Sequence, residues 1–371
     1  MNLLTAIVFT LSSLYLLLLL FIFILQIKLI KNKQLKSQIE LPLVSILVAA
    51  RNEENNILNC LKSLNELTYP KNNIEILIGN DDSQDNTAKI ITEYIQDKNQ
   101  FKLFNFSAHN TSKTKGKARV LSLLIQNAKS QYYLITDADI TVNPMWVNEM
   151  MHELIQNNHG LVAGTTMIQS NTYFGHLQRL DWLYFKGIIK LFSELRNPLT
   201  AVGNNMCISK KAYDEVGGYE NIPFSITEDY ALFKAIRDKG FSTSQLFNSE
   251  SIVYSAPVDK FKTLMNQRKR WLVGGLDLPL KYKALIFLFG FWYFAIPYLA
   301  ITHHFFELFC FILCKTSIQL FQFLFLHKQL NKKVNSILAL LTYDLYLLVM
   351  IPLSSLYFFI PTKTIWKGRK Y

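Results

Sequence analysis

Cysteine, glycine and proline are all sparse in this 371-residue chain, at 4, 14 and 10 residues. Four cysteines, none in a CxxC pair, exclude a disulfide scaffold. So few glycines and prolines exclude collagen-like and low-complexity chains. Charge is scarce as well, at 18% of residues, and the 27 acidic side chains are outnumbered by 39 Lys and Arg, for a net charge of +12. Low charge with 50% apolar and 13% aromatic residues excludes a disordered chain. A basic excess points to nucleic acid or to a membrane surface. The mean hydropathy of +0.15 favours the membrane.

The apolar residues are not spread evenly. Leu3 to Ile27 carries no charge, and a helix of that length, at ~1.5 Å per residue, exceeds a hydrocarbon core of ~30 Å. Its uncharged start, its length and the lysines that follow (Lys28, Lys31, Lys33 and Lys36) mark residues 3–27 as a transmembrane anchor rather than a cleaved signal peptide. Residues 37–282 read as a soluble domain. Residues 284–360 form a second membrane block of two to three helices, interrupted by Pro297, Glu307, Lys315 and Asp344, and 361–371 is a basic tail.

Of the 39 basic residues, 18 lie at the membrane ends: four after the first span, seven from Lys260 to Lys283, three in Lys328 to Lys333 and four in Lys363 to Lys370. The first two clusters bracket the soluble domain, which the positive-inside rule places in the cytoplasm with the N-terminus outside. The last two clusters conflict with a simple three-span block, so either one segment lies in the interface or re-enters, or the tail breaks the rule. The expectation is a multi-pass cell-membrane protein. No basic stripe with interleaved aromatics lies outside the juxtamembrane clusters, so nucleic acid is not an expected partner.

Within the soluble domain, Leu43 to Ala50 is an apolar run of strand length, of the kind buried in a parallel sheet. Asn55 to Leu64 has apolar residues at helical spacing. Ile74 to Gly79, Phe101 to Phe106 and Tyr132 to Thr136 read as further strands; Thr87 to Ile95, Ala118 to Ala128 and Ala231 to Lys239 read as helices. The alternating order predicts an α/β fold with a mainly parallel sheet, in which ligands bind beyond the carboxyl ends of the strands. Three polar clusters fall at such ends: Arg51-Asn52-Glu53, Asp81-Asp82 and Asp137-Ala138-Asp139.

Each cluster has two readings. Asp137 and Asp139 either cap the next helix or share a hard divalent cation through carboxylate oxygens. Asp81 either serves a turn or accepts hydrogen bonds from a ribose or base. Lys115-Gly116-Lys117, after the stretch Ser107 to Lys113, is either a solvated basic loop or a seat for a diphosphate. Glu228 and Asp229 either favour a helix start through its dipole or supply a general base. Gln267-Arg268-Lys269-Arg270-Trp271 is either a juxtamembrane anchor or a phosphate-binding and stacking group.

Taken in order, Val44 to Glu54, Asp81 to Thr87, Gly116-Lys117, Asp137-Ala138-Asp139, Glu228-Asp229 and the QxxRW set Gln267 to Trp271 resemble the family 2 glycosyltransferases, most closely their membrane-bound branch. The resemblance covers about residues 41–271. It implies a GT-A fold and a hexosyltransferase that uses a nucleotide-sugar donor, with a UDP-sugar favoured. It implies Asp137 and Asp139 as a DxD pair for Mg²⁺ or Mn²⁺, and Asp229 as catalytic base with Glu228 and Arg270 beside it. It further implies Glu53, Asp81, Lys117, Asn204, Gln267 and Trp271 as substrate-binding residues. One departure stands out: the usual Asp-Asp-Gly-Ser turn is Asn80-Asp81-Asp82-Ser83, so Asp82 occupies the glycine position, and if that position needs positive φ, Asp tolerates it better than most residues. The expected activity is inverting transfer to a lipid or lipid-linked acceptor on the cytoplasmic face of a membrane, bacterial inner membrane by expectation. Processive polysaccharide synthesis is the alternative within the family, and an inactive membrane scaffold or transport component the alternative outside it.

Overall fold

The computed structural model describes residues 2–31, 40–107, 114–334, 336–361, 365–366 and 369–370. Lys33, Lys36, residues 108–113, Lys363, Lys367 and Gly368 lie outside the described residues, and with them parts of the basic clusters and of the stretch before Lys115.

The first element is helix α1 (Leu3–Leu29), capped by Asn2, whose Oδ1 accepts from the Thr5 N–H at 2.8 Å. Alternating strands and helices follow: β1 (Val44–Ala50), α2 (Ile57–Asn65), β2 (Ile74–Asp81), α3 (Thr87–Ile95), β3 (Phe101–Phe106), α4 (Gly116–Gln126), β4 (Tyr132–Asp137), β5 (Ile140–Val142) and α5 (Trp146–Gln156). Next come β6 (Leu161–Ala163), β7 (Thr166–Ile168), α6 (Tyr173–Glu194), β8 (Asn205–Ser209), α7 (Lys210–Glu215), α8 (Gly218–Asn221), α9 (Glu228–Asp238), β9 (Thr243–Gln245) and β10 (Val253–Ser255). Four helices follow, α10 (Phe261–Gly275), α11 (Leu280–Ile301), α12 (Phe305–Gln329) and α13 (Ile337–Phe359), and then β11 (Ile365–Trp366) pairs antiparallel with β12 (Arg369–Lys370).

Contacts divide the chain into two units, Asn32–Gln169 with Ile188–Ala256, and Met1–Lys31 with Ser170–Gly187 and Pro257–Tyr371. The first unit holds a seven-stranded sheet of order β3-β2-β1-β4-β8-β6-β9. Strands β3, β2, β1 and β4 run parallel, and β8 is antiparallel to both β4 and β6. A second sheet joins β5, β10 and β7. β1 is apolar and almost wholly buried because helices cover both faces, as in parallel sheets generally. Its register sets Ala50 beside Asn80 and Ala49 beside Asp137. Arg51, Asp81 and Asp137 therefore gather at the carboxyl ends of three adjacent strands. Helix α2 closes one side with Ile57, Cys60, Leu61 and Leu64, whose spacing makes a single buried face.

Several boundaries differ from those expected. β2 continues to Asp81 and β4 to Asp137, so these aspartates are the last strand residues rather than turn residues. Helix α9 starts at Glu228 rather than Ala231, and α4 at Gly116 rather than Ala118. Asp82 has φ 55°, as the glycine of the related turn would allow.

In the other unit, α1, α11, α12 and α13 are each long and apolar enough to cross a membrane. Polar groups along them face one another. Lys315 of α12 pairs with Asp344 of α13 and donates to Tyr293 Oη of α11 at 2.9 Å, and Thr316 Oγ1 donates to Asp344 Oδ2 at 3.0 Å. Gln322 Nε2 donates to Gln26 Oε1 at 2.7 Å, joining α12 to α1. Glu307 instead lies in the first turn of α12 and is exposed. Cys60 and Cys207 are free and buried, whereas Cys314 is exposed and so does not pack the interior.

Candidate active site

The site is built on the carboxyl edge of the parallel strands. Asp81, 2% exposed at the end of β2, receives Arg119 Nη2 from α4 at 2.5 Å on Oδ1. Arg51, just beyond β1, donates to the Asp81 carbonyl oxygen and lies 4.0 Å from Oδ2. Arg119 also donates to the Ser107 carbonyl at 2.9 Å. Asp81 is thus held by two guanidinium groups. The pairing with Arg119 is a feature the sequence did not single out, because nothing local marks an arginine 38 residues away as its partner.

A second cluster joins β4, α4, α9 and the turn before β8. Lys117, in the first turn of α4, points its ammonium at Asp137 and lies 3.4 Å from Glu228 Oε1 and 3.3 Å from the Gly203 carbonyl, to which it donates. Its side chain is 9% exposed. Burial works against its charge, but the carboxylates of Asp137, Glu228 and Asp229 outweigh that and hold its pKa above the ordinary value. Burial raises the Glu228 carboxyl above its usual range; Lys117 opposes this, while Asp229 and Asp137 add to it.

Asp229 follows Glu228 in the first turn of α9. Its Oδ2 accepts from the Gly203 N–H and its Oδ1 from the Tyr230 N–H, both at 2.8 Å. Gly203 allows this approach because it has no side chain: a Cβ there would lie 2.8 Å from the Asp229 Cβ. Asn204 is fixed through both of its acceptors, its Oδ1 taking Thr166 Oγ1 at 2.8 Å and its carbonyl taking Thr136 Oγ1 at 3.0 Å. Asn205 beside it is fully buried: its Oδ1 accepts Trp146 Nε1 at 2.8 Å, and its Nδ2 donates to the Thr165 and Ser251 carbonyls at 3.0 Å. Of residues 203–206, Gly203 touches Asp229 and Asn205 is a buried joint between three chain segments.

Glu53 is 5% exposed, and its Oε2 accepts Asn56 Nδ2 at 2.8 Å. Together with Asp139 and Asp137 it raises the thiol pKa of Cys60, after burial, the largest cause. No group of three or more His, Cys, Asp or Glu placed to hold a metal occurs among the described residues. The pair Asp137 and Asp139 still offers hard oxygen donors, and the cation Lys117 already sits against one of them. That donor set fits a hard divalent cation such as Mg²⁺ or Mn²⁺.

Beside Glu228 lies a small pocket lined by Lys115, Tyr219, Phe224 and Ser225 among others. The Tyr219 hydroxyl is buried there and has no hydrogen-bond partner among the described residues. Sequence reasoning missed this residue, since a tyrosine after Gly217-Gly218 carries no motif. Gln267, Arg270 and Trp271 lie in α10 of the other unit.

Residues 45–217 match the model of glycosyl transferase family 2, and residues 132–361 match that of glycosyl transferase family group 2. The poly-beta-1,6-N-acetyl-D-glucosamine synthase of Staphylococcus epidermidis is 27% identical over 64% of this chain and 56% of its own length. The beta-monoglucosyldiacylglycerol synthase of Nostoc sp. is 28% identical over 69% of this chain and 54% of its own. The chain thus spans little more than half the length of the curated relatives it matches. Among solved structures, a mannosyltransferase from Pyrobaculum calidifontis, in complex with GDP-Man and Mn²⁺, has a TM-score of 0.58 at 15% identity, covering 80% of this chain and 86% of that one. The GT-A arrangement of the sheet agrees with this likeness. The second family model spans more than half of the chain, from β4 through α13, and the protein belongs to the family 2 glycosyltransferases.

Proposed function

We propose that this glycosyltransferase inverts the anomeric centre as it moves a sugar from a nucleotide-sugar donor, of the UDP-sugar class, to a lipid or lipid-linked acceptor at the cytoplasmic face of a membrane. The single observation that carries the reading is the cluster Lys117–Asp137–Glu228–Asp229 at the carboxyl edge of the sheet. It gathers three carboxylates and a buried cation on one side of a parallel sheet, where such sheets bind ligands, and so supports a base and a diphosphate seat there.

Asp229 takes the proton of the acceptor hydroxyl. The Gly203 and Tyr230 N–H groups orient its two oxygens, and each oxygen keeps a lone pair for that proton. The acceptor oxygen bonds to the anomeric carbon as the bond from that carbon to the nucleotide diphosphate breaks. Lys117 and Arg270 are the cations assigned to the departing diphosphate. Asp137 and Asp139 would hold Mg²⁺ or Mn²⁺, which supplies Lewis-acid neutralisation of that charge, in keeping with the Mn²⁺ of the related mannosyltransferase. Asp81 with Arg119 and Arg51 supports the nucleoside, and Glu53, Asn204, Gln267 and Trp271 complete the proposed substrate contacts.

Four crossings by α1, α11, α12 and α13 would place both ends of the chain on one side and the residue 37–282 domain on the other, in the cytoplasm by the basic clusters that bracket it. Single transfer to a lipid is preferred over processive synthesis because a channel for a growing polymer needs several spans, and four apolar helices long enough to cross a membrane are few for it. The glucosyldiacylglycerol synthase likeness supports this reading, and the polysaccharide synthase likeness supports the alternative. Incubation with a panel of nucleotide sugars and Mn²⁺ tests both: Asp229→Asn should abolish nucleotide release, and unchanged turnover would remove Asp229 from its role. A product ladder of increasing length would overturn single transfer.

A further inference from the structure

Helix α10 has two faces. At about 100° per residue, Gln267, Arg270 and Trp271 fall within an arc of roughly 100°, and Arg268 and Lys269 point elsewhere. The intervening pair is firmly held. Arg268 Nη2 pairs with Asp181 of α6 and donates to Tyr346 Oη of α13 at 3.3 Å. The same Asp181 carboxylate accepts Tyr343 Oη at 2.5 Å and Tyr346 Oη at 2.8 Å, both from α13. Lys269, 6% exposed, donates to the Ile360 carbonyl at the end of α13 at 2.5 Å. One turn back, Asn266 Oδ1 accepts Tyr357 Oη at 2.8 Å. The Arg268 guanidinium also lies 4.9 Å from the centre of the Trp271 ring, whose edge meets Trp182 of α6 at 5.6 Å.

From this geometry we infer that Asp181, Arg268 and Lys269 are positioning residues: they clamp α10 to the last apolar helix and to α6, and thereby set the orientation of Arg270 and Trp271. The two positions inside the motif are its fastening. A buried carboxylate with three donors from two other helices has few alternative arrangements, since moving any partner strands a charge or a hydroxyl. Rotation of α10 by even a fraction of a turn would carry Arg270 away from its setting, and displacements near 1 Å cost catalysis on the order of 100-fold. The inference rests on the proposed role of Arg270 and Trp271.

The test uses the full chain in lipid nanodiscs, with UDP-glucose and Mn²⁺ and nucleotide release as readout. Asp181→Asn keeps the size and acceptors of the side chain and removes its charge. Its kcat should fall about 10- to 100-fold with the UDP-glucose KM changed less than about threefold, and Arg268→Lys should be milder than Arg268→Ala. In an Arg270→Ala background Asp181→Asn should add less than about threefold, because the effect passes through Arg270. Full multiplication of the two losses would make Asp181 merely structural and overturn the inference. Tryptophan emission gives an arm independent of turnover. Asp181→Asn should change the emission, and the change should vanish in Trp271→Phe. If Arg270→Ala turns over normally, the proposed role of Arg270 fails; in that case, or with no turnover of UDP-glucose, emission alone decides, and an unchanged spectrum overturns the clamp.

Discussion

Lys117 offers the sharpest test of how the candidate site is held together. Its ammonium is the cation for Asp137 and Glu228 and also bonds the Gly203 carbonyl, with a side chain only 9% exposed. Lys117→Met keeps the aliphatic stem and leaves those carboxylates facing one another. Removing one partner of a buried ion pair costs about 3–5 kcal/mol, and the partial exposure of Asp137 and Glu228, at 33% and 18%, puts this case near the lower figure. For a unit of this size each kcal/mol moves the midpoint by about 2–4 °C, so a fall of about 10 °C is expected in thermal unfolding followed by tryptophan fluorescence. Two companions fix the cause. Glu228→Gln should recover a large part of the loss, because one repelling charge goes. Mn²⁺ at millimolar concentration should raise the midpoint of Lys117→Met more than that of the parent, because it replaces the missing positive charge. A midpoint within about 2 °C of the parent, or no recovery in the double variant, would refute this account of the cluster.

Three further outcomes are expected. Glu153 of α5 accepts Ser244 Oγ at 2.6 Å and lies 3.4 Å from His159 Nε2; burial opposes ionisation, but these partners lower its pKa from 4.5 to about 2. A lowered acid pKa stabilises the fold above the unfolded value and loses that contribution as pH falls, so Glu153→Gln should cost at most about 3 kcal/mol at neutral pH, with the gap in urea unfolding closing between pH 4.5 and about 2. Gly203→Ala should cut kcat by about 10- to 100-fold in nucleotide-release assays, since its new Cβ would press on Asp229 at 2.8 Å. Tyr219→Phe removes a buried hydroxyl that has no partner among the described residues and should raise the unfolding midpoint of the ligand-free protein by a few degrees, from a penalty of about 1–3 kcal/mol.

Much of the parallel half of the sheet was legible because β1 is a buried apolar run and β1, β2 and β3 are each followed by a helix, a local signal. The departure at Asp82 was legible for the same reason: its positive φ is a property of one turn. The antiparallel strand β8 and the three-stranded sheet of β5, β7 and β10 were not, since they pair runs of three to five residues from distant parts of the chain. Helix α6 was missed because its polar residues are scattered among aromatics, and its Asp181 finds partners only through α10 and α13. At the site, sequence order could place Asp81, Asp137 and Asp229 at strand ends or helix starts. It could not show that Arg119 and Lys117 would be their partners, because α4 meets those strands only once the sheet has closed.

Asn205 has a consequence for how the chain is made. Its amide is satisfied by Trp146, Thr165 and Ser251 together, so the strand beside Asp229 lacks part of its hydrogen bonding during synthesis until residue 251 has left the ribosome. Before that moment the emerging chain holds a buried amide site with one acceptor absent, and helix α9 rests against an unfinished wall. A ribosome stalled short of Ser251 should therefore display β8 as protease-sensitive, and one stalled well beyond it should not.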